Sequence, residues 1–207
     1  MPQHLTSKGN RRRKQIMDYA AQEFARNGYH QTSVSDIVNG LGVGKGVFYW
    51  YFESKDMLLR EVLAEAQRDL RRVQRQAIAD EPDPLHRIAV AIQASFAWLA
   101  SNLHLFLLME QAKVDEQFAS LVRQGEETAI ADALPHVKAG MDAGLIRRDD
   151  PVVIAYAILG VTSSLARLMI VERGEDPHKV AATAIAFCLS GITAKKVLPA
   201  PVSTCRK

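Results

Sequence analysis

From Arg12 onward, apolar residues return every three or four positions: Ile16, Met17, Ala20, Ala21, Phe24 and Ala25. That is the repeat of a helix with one buried stripe. Asn27-Gly28 ends it, and Gly28 is expected to take the left-handed C-cap geometry. Ser33-x-x-Asp36 is a short-armed capping box that opens a short helix bearing Val34, Ile37, Val38 and Leu41. Gly42 then supplies a tight turn that requires positive φ, and a second short helix runs from Lys45 to Tyr51. Ser54 caps a long helix reaching about Ala79 along Leu58, Leu59, Val62, Leu63, Ala66, Leu70 and Val73. Asp83-Pro84 is an N-cap and N1 pair for a helix through Ser101. A very apolar segment follows from Leu103 to Glu110, then a helix over about 115–143 bent at Pro135. Asp150-Pro151 and Pro177 open the last two helices, and residues 195–207 read as a frayed tail. No strand-period stretch and no internal repeat interrupts this all-α pattern.

Composition adds limits. A chain of 207 residues with 48% hydrophobic and 24% charged content can bury one core, or one core with a small appended domain. Cys188 lies in an apolar helical run and reads as a small core residue; Cys205 lies in the polar tail. A disulfide framework and a metal site are both excluded on this count, no cofactor is expected, and a reduced cytoplasmic setting fits. The first fifteen residues have no apolar core of a secretory signal. Val152–Val171 contains one charge, Arg167, and by length could span a membrane. Its Thr162, Ser163 and Ser164 and the acids flanking it favour a helix buried on all sides in a soluble assembly, so no membrane partner is expected.

The charge is uneven. The net is +3, but residues 1–60 hold nine Lys or Arg against five Asp or Glu. An anionic partner is therefore expected at the N-terminal end. That end also contains GLGVGKGVFYWYF at 40–52: four glycines, one lysine, five consecutive aromatics and no acid. It is not a Walker loop, because Asn39 stands where the first glycine belongs and Gly46 follows the lysine. A dinucleotide fingerprint fails on glycine spacing and on the lack of a preceding strand.

Two short helices joined at Gly42 and preceded by a packing helix instead make a helix-turn-helix unit for double-stranded DNA. Val43, Phe48 and Phe52 are expected inside it. Lys45, Tyr49 and Trp50 face outward, with Gly46 and Val47 on the same short helix and close to DNA. Lys45 can reach a guanine edge or a phosphate, and Tyr49 and Tyr51 offer hydroxyls to phosphate. Lys55 with the amides after Ser54, and Ser33 with its neighbours, are expected to hold phosphates.

With these residues in place, Arg11–Leu63 resembles the N-terminal domain of the Tet-repressor family of bacterial transcriptional regulators. The resemblance rests on AAQEFARNGYHQTSVSDIVNGLGVGKGVFYWYFESKDMLL, including its Phe-Tyr-x-Tyr-Phe core and the Lys55 after it. Gly44 departs from a frequent Ser and Val47 from a frequent Thr, so a DNA contact at each is in doubt. Trp50 is bulkier than many occupants of its position, which points towards a thymine methyl.

The resemblance implies a DNA-binding domain over 8–68, a linking helix over 55–79, and a helical ligand-binding and dimerisation domain over 69–194. It also implies a homodimer through the last two helices, with Gly160, Ala184 and Gly191 allowing close approach, and a small molecule held in the C-terminal half. Apolar candidates to line that site are Phe96, Leu99, Phe106, Met109, Phe118, Tyr156 and Leu159; the polar handles are His104, Glu110, Ser163 and Arg167. Arg167 needs a partner: Glu110, the dimer mate or an anionic ligand. The expected function is a repressor released from a palindromic operator by a hydrophobic effector. A ligand-independent DNA-binding dimer is the alternative. An all-helical enzyme has only His104, Glu110 and Asp115 as clustered titratable groups.

Overall fold

The structure is a computed structural model that describes residues 6–194. Among those residues it is all helical: α1 (Ser7–Asn27), α2 (Val34–Gly40), α3 (Lys45–Tyr51), α4 (Lys55–Ile78), α5 (Pro84–Ser101), α6 (Leu103–Val114), α7 (Ala119–Asp142), α8 (Pro151–Leu165) and α9 (Pro177–Ile192). A π-helical segment, Ala166–Glu172, extends α8. Residues 195–207, expected to be a frayed tail, lie outside the described residues, as does Cys205.

The caps follow the side chains. Ser33 and Asp36 form a complete capping box on α2, and Ser54 accepts from the Met57 amide at the start of α4. Asp83, Asp150 and Asp176 each cap a helix whose first residue is proline. Such a proline lacks the N–H that would go unpaired there. α1 begins five residues before the expected Arg12, because Thr6 caps it by accepting from the Gly9 amide. α7 begins later than expected, at Ala119, and contains Pro135. Gly42 has φ +64° as its turn demands. Gly28 also has positive φ, but with ψ 146°, so the chain leaves α1 extended and not in the left-handed helical geometry expected.

α1, α2 and α3 pack around Ile16, Phe24, Ile37, Phe48 and Phe52, all essentially inaccessible, and the first half of α4 closes this unit with Leu58, Leu59 and Val62. α4 then runs on against α5 and α7, so one helix belongs to both halves. α5 packs on α9, and α7 on α8. The loop after α7 is clipped to the end of α9: the Arg147 amide donates to the Ile192 carbonyl, and the Ala194 amide to that of Leu145.

The helix over Pro151–Glu172 is long and apolar enough to cross a membrane by length and composition. It was expected to be buried all round; within one chain only 22% of its most apolar window is buried. Ile154 and Ala155 face the core, whereas Val153 and Tyr156 are 59% and 47% exposed.

Candidate nucleic-acid interface and internal cavity

Phe48 is fully enclosed, with Phe52 at 5.8 Å between ring centres, and this pair fixes the orientation of α3. A helix held by one face must present the opposite one. Tyr49 and Trp50 are 57% and 65% exposed, and Lys45 and Gly46 are exposed beside them. An added Cβ at Gly44 or Gly46 would meet nothing within 4 Å, so both leave open backbone at the start of α3. Gly40 is different: a Cβ there would lie 1.8 Å from the Tyr19 hydroxyl, so glycine is what lets α2 end against α1. Val47 and Tyr51 are half-buried against the unit's core. Part of each side chain therefore packs instead of projecting.

Two expected phosphate contacts are revised by their internal bonds. The Lys55 ammonium donates to the carbonyls of Tyr29 and Thr32, 2.9 Å each, and lies 4.2 Å from the centre of the Tyr29 ring. It ties the α1–α2 loop to the start of α4, leaving one of its three protons for an outside acceptor. Ser33 donates both its amide and its hydroxyl to Asp36, whose carboxyl is held below the usual range by the Ser33 hydroxyl and then by the Ser33 amide. Neither group remains to donate to a phosphate. The first turn of α4 also carries the Asp56 carboxylate, already bonded by the Tyr29 hydroxyl and the Gln117 amide. In the basic run at 11–14, Arg13 pairs with Glu61 and lies over the Phe52 ring, and Lys14 pairs with Glu65 and Asp18. Arg11 remains exposed.

A joint between the two halves joins residues that no local sequence signal brings together. His30 lies 2.9 Å from Asp115, whose carboxyl is lowered chiefly by that bond. Arg60 donates to the Gln117 carbonyl and sits over the Phe118 ring, which meets Tyr29 edge-on at 5.0 Å. Burial, then the bond to Asp56, raises the Tyr29 hydroxyl pKa, so it stays a donor. Phe118, expected at a ligand, is instead 1% exposed in this joint.

Two adjoining cavities of about 170 and 150 Å³ open among α4, α5, α7 and α8, the first also reaching α6. Phe96, Leu99, Phe106, Met109, Glu110, Leu159 and Ser163 line the first. Tyr156 and Arg167 do not line it. Tyr156 faces outward, and Arg167 is exposed with Glu172 at 2.5 Å as its partner and Glu110 at 4.0 Å. The unexpected wall is α4: Gln67, Leu70, Arg71 and Gln74 all reach the cavity. Gly125 on α7 permits this, because a Cβ there would come within 2.2 Å of the Gln67 amide group. His104, Glu110 and Asp115 keep separate company. His104 is lowered by burial and feels Asp18, Glu110 pairs with Lys113, and Asp115 pairs with His30.

Ala184 is fully buried within its own chain, so it offers nothing to a partner. Gly160 and Gly191 are exposed, with open space above each.

Comparison with known proteins agrees with this geometry. The sequence model of the family described as "Bacterial regulatory proteins, tetR family" matches residues 16–62. The HTH-type transcriptional regulator YdgC of Bacillus subtilis (strain 168) is 23% identical over 92% of this chain and 97% of its own length. The HTH-type transcriptional repressor Rv1474c of Mycobacterium tuberculosis is 28% identical over 83% of this chain and 88% of its own. A TetR-family regulator from Syntrophomonas wolfei shares the fold, with TM-score 0.80 and 20% identity over 92% of this chain and 98% of that one. The enclosed Phe48, the outward face of α3 and these likenesses converge: residues 16–62 match the DNA-binding unit of the tetR family of bacterial regulatory proteins, and the chain shares the fold of such regulators along most of its length.

Proposed function

We propose that this protein is a homodimeric, cytoplasmic repressor that binds a palindromic operator through α3 and leaves it when a hydrophobic small molecule enters the cavity behind α4. One observation carries the reading: α4 starts at the DNA-binding unit and forms a wall of the cavity. A ligand that changes how α4 sits changes how α3 is presented. Only a difference in affinity for the two arrangements can shift the balance.

The dimer reading rests on α8 and α9. Val153, Tyr156 and Phe187 are 59%, 47% and 65% exposed, an apolar surface that a monomer in water would ordinarily cover. A two-fold axis there sets two copies of α3 on one face of DNA, roughly 34–36 Å apart, and a dyad-symmetric site follows. Selection from random-sequence DNA tests this. A dyad-symmetric motif is expected, and Trp50→Ala should change the preferred bases within it. Recovery of no symmetric motif refutes the reading.

A further inference from the structure

The two cavities differ in charge. Around the first, Glu110 and Glu126 flank Lys113, which is 2.6 Å from one and 3.0 Å from the other. Arg71, which also reaches this chamber, and Lys113 balance the two acids, so no charge is left over there. The second is lined by Arg71, Arg75 and Arg87 with Asp132 as its one acid. Asp132 serves two of the arginines at once, at 3.8 Å from Arg71 and 3.4 Å from Arg75, so positive charge is left over. His136 joins this wall with its pKa lowered, first by burial and then by Arg87. A neutral imidazole adds no positive charge to this wall. Between the chambers, the Gln74 amide donates to the Ser95 hydroxyl at 2.8 Å, and Arg71 and Leu159 face both sides.

The geometry points to an amphipathic anion as the ligand: a small acid with an unbranched apolar tail. Its anionic head sits against Arg75 and Arg87 in the second chamber, and its tail runs past Gln74 and Ser95 to Phe96, Phe106 and Met109. A carboxylate can take parallel N–H donors from a guanidinium. The reversed orientation sets the anion beside Glu110 and Glu126 and is disfavoured by like charge. This assignment rests on the cavity being the effector site and adds the chemical class of the effector. It also replaces Arg167, whose guanidinium is paired outside, as the expected anion partner.

Three probes with one tail separate the possibilities: octanoate, octan-1-ol and octyltrimethylammonium, each titrated calorimetrically into the full-length protein. Octanoate should bind about tenfold or more tighter than octan-1-ol, and the cation weakest. Arg75→Gln and Arg87→Gln should each close the gap between octanoate and octan-1-ol, and retained octan-1-ol binding shows that the cavity is intact. Equal binding of octanoate and octan-1-ol keeps the cavity as an apolar site and overturns the anionic head. Tightest binding of the cation moves the head to Glu110 and Glu126 and also overturns it. Binding of none of the three overturns both the head assignment and the cavity as an effector site.

Discussion

Two lysines ten positions apart have opposite surroundings. Lys45 is exposed on the outward face of α3, while Lys55 closes two carbonyls and a ring face. Lys45→Ala should weaken DNA binding with an unchanged melting temperature, and the slope of log affinity against log salt should fall by about 0.9 if one phosphate contact is lost. Lys55→Ala should lower the melting temperature as well, because each hydrogen bond from a charged group contributes roughly 1.5–3 kcal/mol. Thermal unfolding beside a salt series separates the two. Titration gives a second residue-scale expectation. His136 is lowered from its ordinary 6.5 by burial and then Arg87, and His104 by burial. Below pH 6.5 the unfolded chain therefore binds more protons than the folded one at these sites. Stability from them is complete above about pH 6.5 and falls as acid approaches their folded pKa values. His136→Gln should remove part of that fall in denaturant midpoints measured from pH 7.5 to 5.5. An undiminished slope in the variant contradicts the assignment.

Helices were legible in this sequence because their signals are local. Ser33 with Asp36, Asp83 with Pro84 and Asp150 with Pro151 act within one turn of chain, and each begins a helix where expected. Phe48 was legible as core because a Lys-led aromatic helix in this setting has to bury one face. The cavity wall was not legible. Gln67, Arg71 and Gln74 are polar positions on an amphipathic helix, and periodicity assigns such residues to solvent. Whether they meet water or α7 is decided by Gly125, a residue 58 positions beyond Gln67 in the chain. Phe118 and Tyr156 fail for the related reason that an apolar residue announces burial without naming its neighbour. Gly125→Ala tests the α4–α7 approach. It gains roughly 0.8–1 kcal/mol of helix propensity and displaces the flexible Gln67 amide from its 3.3 Å bond to the Val122 carbonyl. Stability should stay within about 1 kcal/mol of the parent while ligand affinity falls. Loss of stability with affinity intact would falsify this account of the wall.

At the scale of the whole molecule, exposed apolar surface lies on α8 and α9, and the outward recognition face lies at the other end of the chain's path, on α3. Gly160→Glu or Gly191→Glu places a charge on the α8–α9 surface without disturbing the chain's own core, since no atom lies within 4 Å of the new Cβ. Sedimentation at micromolar concentration should show a dimer for the parent and a monomer or aggregate for the variants. A parent that sediments as a stable monomer contradicts the two-fold account of DNA recognition. The central claim is that α4 couples the cavity to α3, and coupling between two sites must be reciprocal. The most direct measurement is the affinity of octanoate, or of a tighter ligand identified by its raising of the melting temperature, with and without saturating operator DNA. The account predicts that operator weakens the ligand by the same factor as the ligand weakens operator, about 5- to 150-fold for a typical coupling of 1–3 kcal/mol. Equal ligand affinity in the two conditions would contradict it.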